Sequence, residues 1–367
     1  MTRMVIVLAA VLVAAVVALS APEPDAGPWP DALPWQDGRP TAAGAVAPDA
    51  ATSDAAAPDA ATPDAAAHGA RAGAPVAPFA APAGLPVAIH TADLPANEAS
   101  GLVASRKFPG VFYWLRDGGG ATTRRPRAAL WTIRLGGDAH ALPVRRGENF
   151  PFAQVFAAPN GDWEDVVMDD DDNLWIGDIG ANDCVTEQYL YRTLEPEPDT
   201  DDPFVVTAKW PVSFPDPAPG CRTRNAEAML WLDGELYLFA KTANSPVYRA
   251  VFPAERGDDV VLEPVAEFDA AVNKISVSTV STDRTRLTVA GHARYWVFEA
   301  DPALRGDAYL KQALAGKPVH TGTFASRAGN ASVEGGSYVP GTHDLLFVAE
   351  NKEMFLVPDA PSAAAAR

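Results

Sequence analysis

Apolar and polar residues alternate in short runs from Pro86 onward, and Gly, Pro, Asn or Asp interrupts these runs after about 8 to 15 residues. Because successive side chains of a strand point to opposite faces of a sheet, this alternation is typical of half-buried strands. No stretch has a convincing helical period of ten or more residues, and 302–315 is the best candidate for a short helical insertion. The pattern therefore predicts an all-β fold of many short strands with one helical insertion.

One short unit recurs five times in this part of the chain. A residue that is acidic in four of the five copies opens a short strand, and a strongly apolar strand follows after a turn. The opening positions are Glu98, Glu164, Glu227, Ser276 and Glu334, and the apolar strands are 111–115, 174–178, 236–239, 287–289 and 345–348. Successive opening positions are 66, 63, 49 and 58 residues apart, which suits the four-stranded blades of a β-propeller.

Two further strands follow in most of the repeats. Third strands are predicted at 129–133, 188–192, 246–249, 295–298 and 353–357, and fourth strands at 153–157, 208–214, 261–268 and 319–324. The fifth repeat has no fourth strand, whereas 86–91 is a spare β-like segment ahead of the first repeat. We therefore predict five blades in a ring closed by this N-terminal strand, since closure removes exposed strand edges. A six-bladed ring and two sandwich domains are the alternatives.

Acidic residues are expected to gather at one mouth of the channel of this ring. Innermost strands line the channel of a propeller, and the turns between second and third strands lie on the face where the chain enters them. Clustered carboxylates repel one another unless a cation lies among them, and Ca²⁺ takes six to eight oxygen ligands. We predict a Ca²⁺ site with the ligands Glu98, Glu164, Asp178, Glu227, Glu334 and Glu350. The alternative is that each Glu caps backbone amides of a neighbouring blade.

Polar groups at the same turns predict a ligand site beside the cation. Its residues are Asp117, Asn182, Lys241, Thr242, His292, Arg294 and Asn351. His292 and Arg294 belong to the fourth repeat, where Ser276 stands in place of an acidic residue, and a cationic wall there suits the negative group of a substrate. A partly exposed turn is the alternative for these two residues.

Other motifs add little to this picture. The run of aspartates 169–172 lies on the opposite face and lacks the spacing and terminal Glu of a helix-loop-helix calcium site. We interpret it as a solvated turn. The sequence has no Gly-x-Ser-x-Gly elbow, no His-Glu-x-x-His and no Cys-x-x-Cys.

The two cysteines, Cys184 and Cys221, both lie in loops predicted for the acidic face. A disulfide between them is favoured in an exported protein. Closing a loop of about 37 residues contributes roughly 3 to 4 kcal/mol of stability in the chain-entropy model. Two free thiols are the alternative.

The first twenty residues have the features of a secretory signal: Arg3, an apolar run over 4–19, and small residues at Ala18 and Ser20. The run is shorter than the roughly 20 residues that span a bilayer, so we predict a cleaved signal, with an uncleaved anchor as the alternative. Ala, Pro and Asp dominate 21–85, which predicts a disordered linker. The propeller domain is predicted over 86–360, with a disordered tail at 361–367, in a protein exported to the periplasm or beyond the cell.

The net charge excludes one class of partner. The chain has 47 acidic and 29 basic residues and a formal charge of −18, whereas nucleic-acid binding needs Lys and Arg clustered against phosphate. Eight of the acidic residues and two of the basic ones lie in the predicted linker. The expected partners are a small polar ligand or an envelope protein, without nucleic acid and without a membrane span after signal cleavage, and a monomer is expected.

Several segments carry a resemblance to known proteins. They are EASGL at 98–102, DWED at 162–165, GDIGAN at 177–182, Tyr191-Arg192 with Glu195-Pro196, and AEAML at 226–230. Over about 97–357 the chain resembles a family of exported bacterial β-propeller proteins of unassigned function, and more distantly the phytase-like and gluconolactonase-like propellers. The resemblance implies inner-strand carboxylates that bind a divalent metal. The chain departs from it with LRDGG at 115–119, where His-Asn-Asp-Ser-Gly is usual, and with Ala181, where Asp is common, so two potential ligands are missing.

Two functional hypotheses follow from the sequence. The first is an exported propeller that binds Ca²⁺ and a small polar or sugar-like ligand at the acidic mouth. As an enzyme it would hydrolyse an ester, lactone or phosphoester, with the metal activating water and a Glu taking the proton. The second is a non-catalytic envelope protein that binds another protein and whose acidic ring is purely structural.

Overall fold

The computed structural model describes part of the chain. The described residues are 35–36, 39–40, 88–117, 128–136, 141–143, 152–181, 184, 187–198, 203–254, 258–269, 271–327 and 332–358. The predicted signal at 1–20, the predicted tail at 361–367, Asn182 and all but four residues of the predicted linker lie outside them.

Twenty-four strands and one helix make up the described fold. The strands are β1 (Trp35–Gln36), β2 (Arg39–Pro40), β3 (Ile89–Asp93), β4 (Ala99–Ala104), β5 (Val111–Arg116), β6 (Ala129–Leu135), β7 (Ala141–Pro143), β8 (Phe152–Phe156), β9 (Trp163–Met168), β10 (Asn173–Asp178), β11 (Tyr189–Leu194), β12 (Phe204–Val205), β13 (Ala208–Ser213), β14 (Ala226–Leu232), β15 (Glu235–Ala240), β16 (Val247–Val251), β17 (Val260–Ala266), β18 (Val277–Val280), β19 (Arg286–Gly291), β20 (Arg294–Glu299), β21 (His320–Thr323), β22 (Val333–Tyr338), β23 (Leu345–Ala349) and β24 (Glu353–Val357). The helix is α1 (Gly306–Ala315).

Antiparallel pairing groups twenty of these strands in sets of four, while β1, β2, β7 and β12 lie outside the sets. The sets, from inner to outer strand, are β4-β5-β6-β8, β9-β10-β11-β13, β14-β15-β16-β17, β18-β19-β20-β21 and β22-β23-β24-β3. The parallel pairing of β13 with β17 joins the second and third sets into one eight-stranded sheet. The segment predicted as a spare strand contributes β3, which pairs with β24 in the last set, and β1 pairs with β2 within the predicted linker.

The first strands of the five sets surround a channel. Each contacts the next in the order β4, β9, β14, β18 and β22, and β22 contacts β4. Five apolar clusters fill the spaces between neighbouring sets, including one in which Leu102 and Trp114 of the first set pack with Leu346 and Leu356 of the last. Sheets arranged around a channel in this way form a β-propeller, so the predicted all-β fold class is confirmed.

Polar side chains tie the inner strands together where backbone pairing does not. Ser276 and Ser278 donate to the carbonyl oxygens of Val333 (2.7 Å) and Met229 (2.8 Å), each on a neighbouring inner strand. The buried carboxylate of Asp165 accepts the amide of Met229 at 2.7 Å. These bonds satisfy buried polar groups at the channel wall and fix the spacing of adjacent sheets.

The helical insertion and the aspartate run refine two predictions. α1 covers the last ten of the fourteen residues of the candidate segment and buries Tyr309 and Leu310 in the apolar cluster between the third and fourth sets. Asp169 is a buried cap. Its carboxylate accepts hydrogen bonds from the backbone N–H of Asn173 at 2.8 Å and from the indole N–H of Trp175 at 2.9 Å. The prediction of a solvated turn therefore fails for Asp169, while Asp170 is exposed as expected. No helix in the described ranges has the length and apolar character needed to cross a membrane.

Candidate acidic cation site

A β-bulge recurs near the start of the inner strands. One residue in each of four strands falls outside the pairing register: Gly101 in β4, Glu164 in β9, Glu227 in β14 and Glu334 in β22. In the remaining set, Ser276 directly precedes β18. A bulge re-aims a side chain out of the alternating pattern, and here it brings three glutamates from different four-stranded sets to one place.

The register corrects the alignment of the first repeat. The sequence aligned Glu98 with Glu164, but the bulged residue of β4 is Gly101, three positions later. Gly101 has a φ of +58°, and a Cβ there would lie 2.7 Å from the backbone nitrogen of Val166. A side chain at this position would collide with the neighbouring inner strand, so the first set contributes no carboxylate from its bulge.

Two groups of carboxylates converge in the described part of the chain. The first is Asp117, Asp162 and Glu164, and the second is Glu164, Glu227 and Glu334. Within each group, one oxygen of each residue lies within 4.8 Å of the others. This is about twice the length of a Ca²⁺–oxygen bond, so either group is compact enough to surround one cation. Glu164 belongs to both groups.

A lysine supplies a positive charge to the second group. The ammonium of Lys241, which follows β15, forms ion pairs with Glu227 and with Glu334, the latter at 3.0 Å. The side chains of both glutamates are 2% exposed and that of the lysine 15%. Burial disfavours the ammonium, but the two carboxylates outweigh it and raise the pKa of Lys241 above its usual value. Lys241 therefore stays charged and supplies the cation that this group needs.

Asp162 and Glu164 of the first group form no ion pair with a lysine or arginine among the described residues. Glu164 Oε1 and Asp162 Oδ1 are buried and have no hydrogen-bond partner among the described residues. Burial, with repulsion from Glu227 and Asp117, raises the pKa of Glu164 well above its usual range. Burial and the nearby Asp117 raise the pKa of Asp162 to about 7. Buried, unpaired carboxylates are costly, and a cation bound between them would remove that cost.

The turn after β10 shapes this group. A Cβ on Gly180 would lie 2.2 Å from Glu164 Oε1 and 2.3 Å from Asp162 Oδ2, so only glycine leaves room for both carboxylates. Asp178 accepts the backbone N–H of Asp162 at 2.6 Å. Burial raises the pKa of Asp178 to about 6, although this hydrogen bond opposes the shift. Asp178, predicted as a ligand, thus supports the loop that carries Asp162.

Other predicted ligands lie around the two groups rather than in them. Glu98 is half-buried, and burial together with Glu350 and Asp117 raises its pKa. The charge of Glu350 favours a higher pKa both for Glu334 and for His292. Glu98 and Glu350 therefore border the cluster without completing either group.

The predicted ligand-site residues have different partners in the structure. His292 Nδ1 is 2.9 Å from Ser332 Oγ, while Arg294 is exposed at the start of β20. Thr242 donates to the carbonyl of Ala243, and Asn351 donates to Ser326 and Glu353. Asn182 lies outside the described residues. Of this predicted set, Asp117 and Lys241 contact the carboxylate cluster.

The disulfide prediction is confirmed. Cys184 and Cys221 are bonded, and 37 residues of sequence separate them. The bond joins the loop that follows β10 to the loop that precedes β14. Both loops lead into the acidic cluster, since Gly180 and Asn225 lie on them.

Sequence reasoning missed two residues of the cluster, Asp162 and Asn225. Each lies two positions before a bulged glutamate, and the Asn225 amide donates to Glu227 Oε1 at 2.9 Å. Ser332 has the same position before Glu334. A polar residue at this recurring position was the signal that would have found Asp162.

A separate cavity of about 660 Å³ opens at the other end of the channel. The later residues of the five inner strands line it, with Trp231, Ser278 and Tyr338 among them. The small-ligand site was predicted at the acidic mouth, so this cavity is an addition that the sequence did not suggest.

No protein-family model matches the sequence, and no curated protein matches it. Solved structures similar to this chain include a candidate gluconolactonase, at 12% identity over 76% of this chain and 93% of that chain, with a TM-score of 0.43. The β-propeller domain of Cps50 (Swd1) from Myceliophteria thermophila is 9% identical over 70% and 82%, with a TM-score of 0.34. A candidate 6-phosphogluconolactonase from Bacteroides uniformis is 13% identical over 71% and 66%, also at 0.34. At these scores the similarities carry nothing about the chemistry of this chain.

Proposed function

We propose that this chain is an exported propeller that binds a divalent cation through Asp117, Asp162 and Glu164. The observation that carries the proposal is the pair of buried oxygens, Glu164 Oε1 and Asp162 Oδ1, which have no partner among the described residues. Native proteins satisfy buried polar atoms with protein groups, water or ions. A cation bound here satisfies both oxygens at once.

Ca²⁺ is the cation that we assign to this site. Carboxylate oxygens are hard ligands, and Ca²⁺ accepts six to eight of them in flexible geometry at 2.3–2.6 Å. Three carboxylates leave coordination positions for water and for the oxygens of a small polar ligand. The sequence resemblance to propellers with inner-strand metal ligands agrees with this assignment.

The ring itself is, in this proposal, a five-bladed propeller closed by the N-terminal strand β3. Five sets of strands, the pairing of β3 with β24, and the contact of β22 with β4 support it. Gly335 also supports it, because a Cβ there would lie 2.7 Å from the backbone of Gly101 on the first inner strand. Such a close approach needs glycine at position 335.

We also propose that the protein is exported, and two features outside the acidic cluster support this location. The disulfide between Cys184 and Cys221 is typical of proteins that fold in an oxidising compartment. The signal-like segment at 1–20 agrees with this location.

The reaction that suits this site is hydrolysis of an ester, lactone or phosphoester. A bound metal ion lowers the pKa of a coordinated water and polarises the bond to be cleaved. We assign the proton acceptor to Glu98, because it borders Asp117 without belonging to the ligand group and its pKa is raised by burial. A raised pKa brings a carboxylate closer to the value that suits a general base near neutral pH.

Calorimetric titration of the EDTA-treated full chain with CaCl₂ tests the cation site. We expect saturable binding by the wild type, loss of binding in Asp162→Asn, and unchanged binding in Asp258→Asn, a control at an exposed aspartate. Absence of binding by the wild type would favour the structural interpretation of the acidic ring and the non-catalytic binding protein.

A hydrolysis assay with p-nitrophenyl acetate and γ-butyrolactone tests the reaction. Activity is expected to require Ca²⁺ and to disappear in Glu98→Gln, while that variant keeps its Ca²⁺ affinity. Loss of affinity in Glu98→Gln would make Glu98 a ligand, and full activity in it would remove it from the chemistry.

A further inference from the structure

The two carboxylate groups resemble the halves of a two-cation site. They share Glu164, and each holds its oxygens within 4.8 Å of one another. Two-metal sites in hydrolytic enzymes place their ions about 3.5–4 Å apart, and a shared carboxylate is suited to bridging them. In this chain, however, one half already contains a positive charge that is part of the protein.

Lys241 is held firmly in that half. Its backbone N–H donates to the carbonyl of Asn225 at 3.0 Å, and the amide of Asn225 donates to Glu227 Oε1 at 2.9 Å. Its ammonium then reaches Glu227 and, at 3.0 Å, Glu334. The lysine is thus anchored at its backbone and at its tip, as a fixed occupant of the group.

The partners of Lys241 come from two different sheets. Glu227 belongs to β14 and Glu334 to β22, 93 residues from the lysine. A surface ion pair contributes little, but both glutamates here are almost fully buried, and removing one partner of a buried pair leaves an uncompensated charge. The group therefore needs a cation, which Lys241 supplies in this chain and which an ion would have to supply without it.

We propose that Glu164, Glu227 and Glu334 form a second divalent-cation site, which the ammonium of Lys241 occupies in this chain. The inference rests on the proposed function, because the first cation binds beside it on the shared Glu164. The chain therefore binds one Ca²⁺, and without the ammonium it binds two. Lys241 sets the stoichiometry of the centre.

Titration of the full chain with CaCl₂ tests this inference through the number of ions bound. The wild type is expected to bind one ion and Lys241→Met two, since methionine fills similar volume without charge. Lys311→Met is the matched control, because Lys311 lies exposed on α1, and it is expected to bind one. Lys241→Arg keeps the charge and is also expected to bind one.

The outcomes separate this inference from the proposed function. One ion in both the wild type and Lys241→Met overturns the second site and leaves the first. No ion in the wild type with one in Lys241→Met overturns the first site and supports the second, and no ion in either overturns both. Should Lys241→Met fold only with Ca²⁺ present, metal analysis of the protein purified in CaCl₂ gives the same count, with two ions per chain expected and one contradicting the inference.

Discussion

The two halves of the acidic cluster are built from the same element and differ in what the next turn supplies. In both, a bulge at the start of an inner strand delivers a buried glutamate, Glu164 in β9 and Glu227 in β14. The turn after β15 brings the long cationic Lys241 into its half, whereas the turn after β10 brings Gly180, whose lack of a side chain leaves its half open. One half thus contains a cation supplied by the protein, and the other contains none among the described residues.

This difference separates a structural role of buried carboxylates from a binding role. A glutamate paired with an anchored lysine, such as Glu334, has a partner within the fold and gives no reason to expect an ion. A glutamate with an orphan oxygen, such as Glu164, carries a desolvation cost in its ionised folded state that binding of a cation removes. Recurrence of an acid in the repeat does not distinguish the two, but the neighbouring turn does.

The largest effect is expected from Glu164→Gln, because Glu164 belongs to both halves. The change keeps the shape of the side chain and removes its charge. Since outer-shell changes typically cost 10- to 100-fold in metal affinity, loss of a direct ligand is expected to weaken Ca²⁺ binding by about 100-fold or more. Calorimetric titration measures the affinity.

Glu299→Gln is the control for this variant, because Glu299 is exposed at the end of β20. Circular dichroism of both variants without Ca²⁺ is expected to match the wild type. Tight Ca²⁺ binding by Glu164→Gln would show that the ion does not need Glu164 as a ligand. The assignment of Glu164 to both halves of the cluster would then be wrong.

Lys241→Met tests the neutralised half through stability. In EDTA the variant leaves Glu227 and Glu334 buried beside each other without a counter-charge. Breaking a buried pair costs about 3–5 kcal/mol, so the free energy of unfolding measured in urea is expected to fall by about that amount. Lys311→Met removes a surface pair and is expected to change stability by less than about 1 kcal/mol. Equal stability of the two variants would show that the ammonium does not support the fold.

Much of the fold follows from the sequence, because strand alternation and the repeat reflect burial that each segment shows locally. Glu227 and Glu334 were aligned correctly, since their bulges fall at the same place in the pattern. Glu98 was aligned wrongly, because register depends on pairing with β5 and the sequence does not show that Gly101 is the residue left out. The alignment chose Glu98 because it is acidic like the other opening residues, although Gly101 is the residue at the bulge.

The sequence could not show that Lys241 belongs to one half of the cluster and not to the other, and the reason is different. Lys241 was recognised as a polar turn residue, but its pairing with Glu334 joins positions 93 residues apart. Only the curvature of the ring decides which side chains of different sheets meet. Asp162 was overlooked because a carboxylate just outside a strand looks like a solvated linker residue until Gly180 is found against it.

Gly180→Ala tests the open half through its shape. The added Cβ would lie 2.2 Å from Glu164 Oε1, so the carboxylates must move apart. An effect of about 10-fold on Ca²⁺ affinity is expected, similar to that of other changes next to a metal ligand. Gly316→Ala, at the end of α1 and away from the cluster, is the control. Unchanged affinity in Gly180→Ala would mean that the ion does not lie between Glu164 and Asp162.

The smallest effect is expected from pH, measured as the difference in melting temperature between Asp162→Asn and the wild type in EDTA. The folded pKa of Asp162 is raised from 3.8 to about 7, so its protonated form stabilises the fold at low pH, and this contribution is lost as pH rises through about 7. The variant is therefore expected to melt higher than the wild type by a margin that grows from pH 5 to pH 8, by on the order of 5 °C.

The difference between the two proteins is the quantity to follow, because other groups titrate in the same range. Burial lowers the pKa of His292 and of His320, so these residues destabilise the fold as pH falls and act in the opposite direction to Asp162. They contribute equally to both proteins and cancel. Saturating Ca²⁺ is expected to reverse the order at pH 8, since the ion stabilises the protein with the intact ligand. A difference that stays constant from pH 5 to pH 8 would show that Asp162 is already ionised without the ion, and the open half would then be neutralised from within like its neighbour.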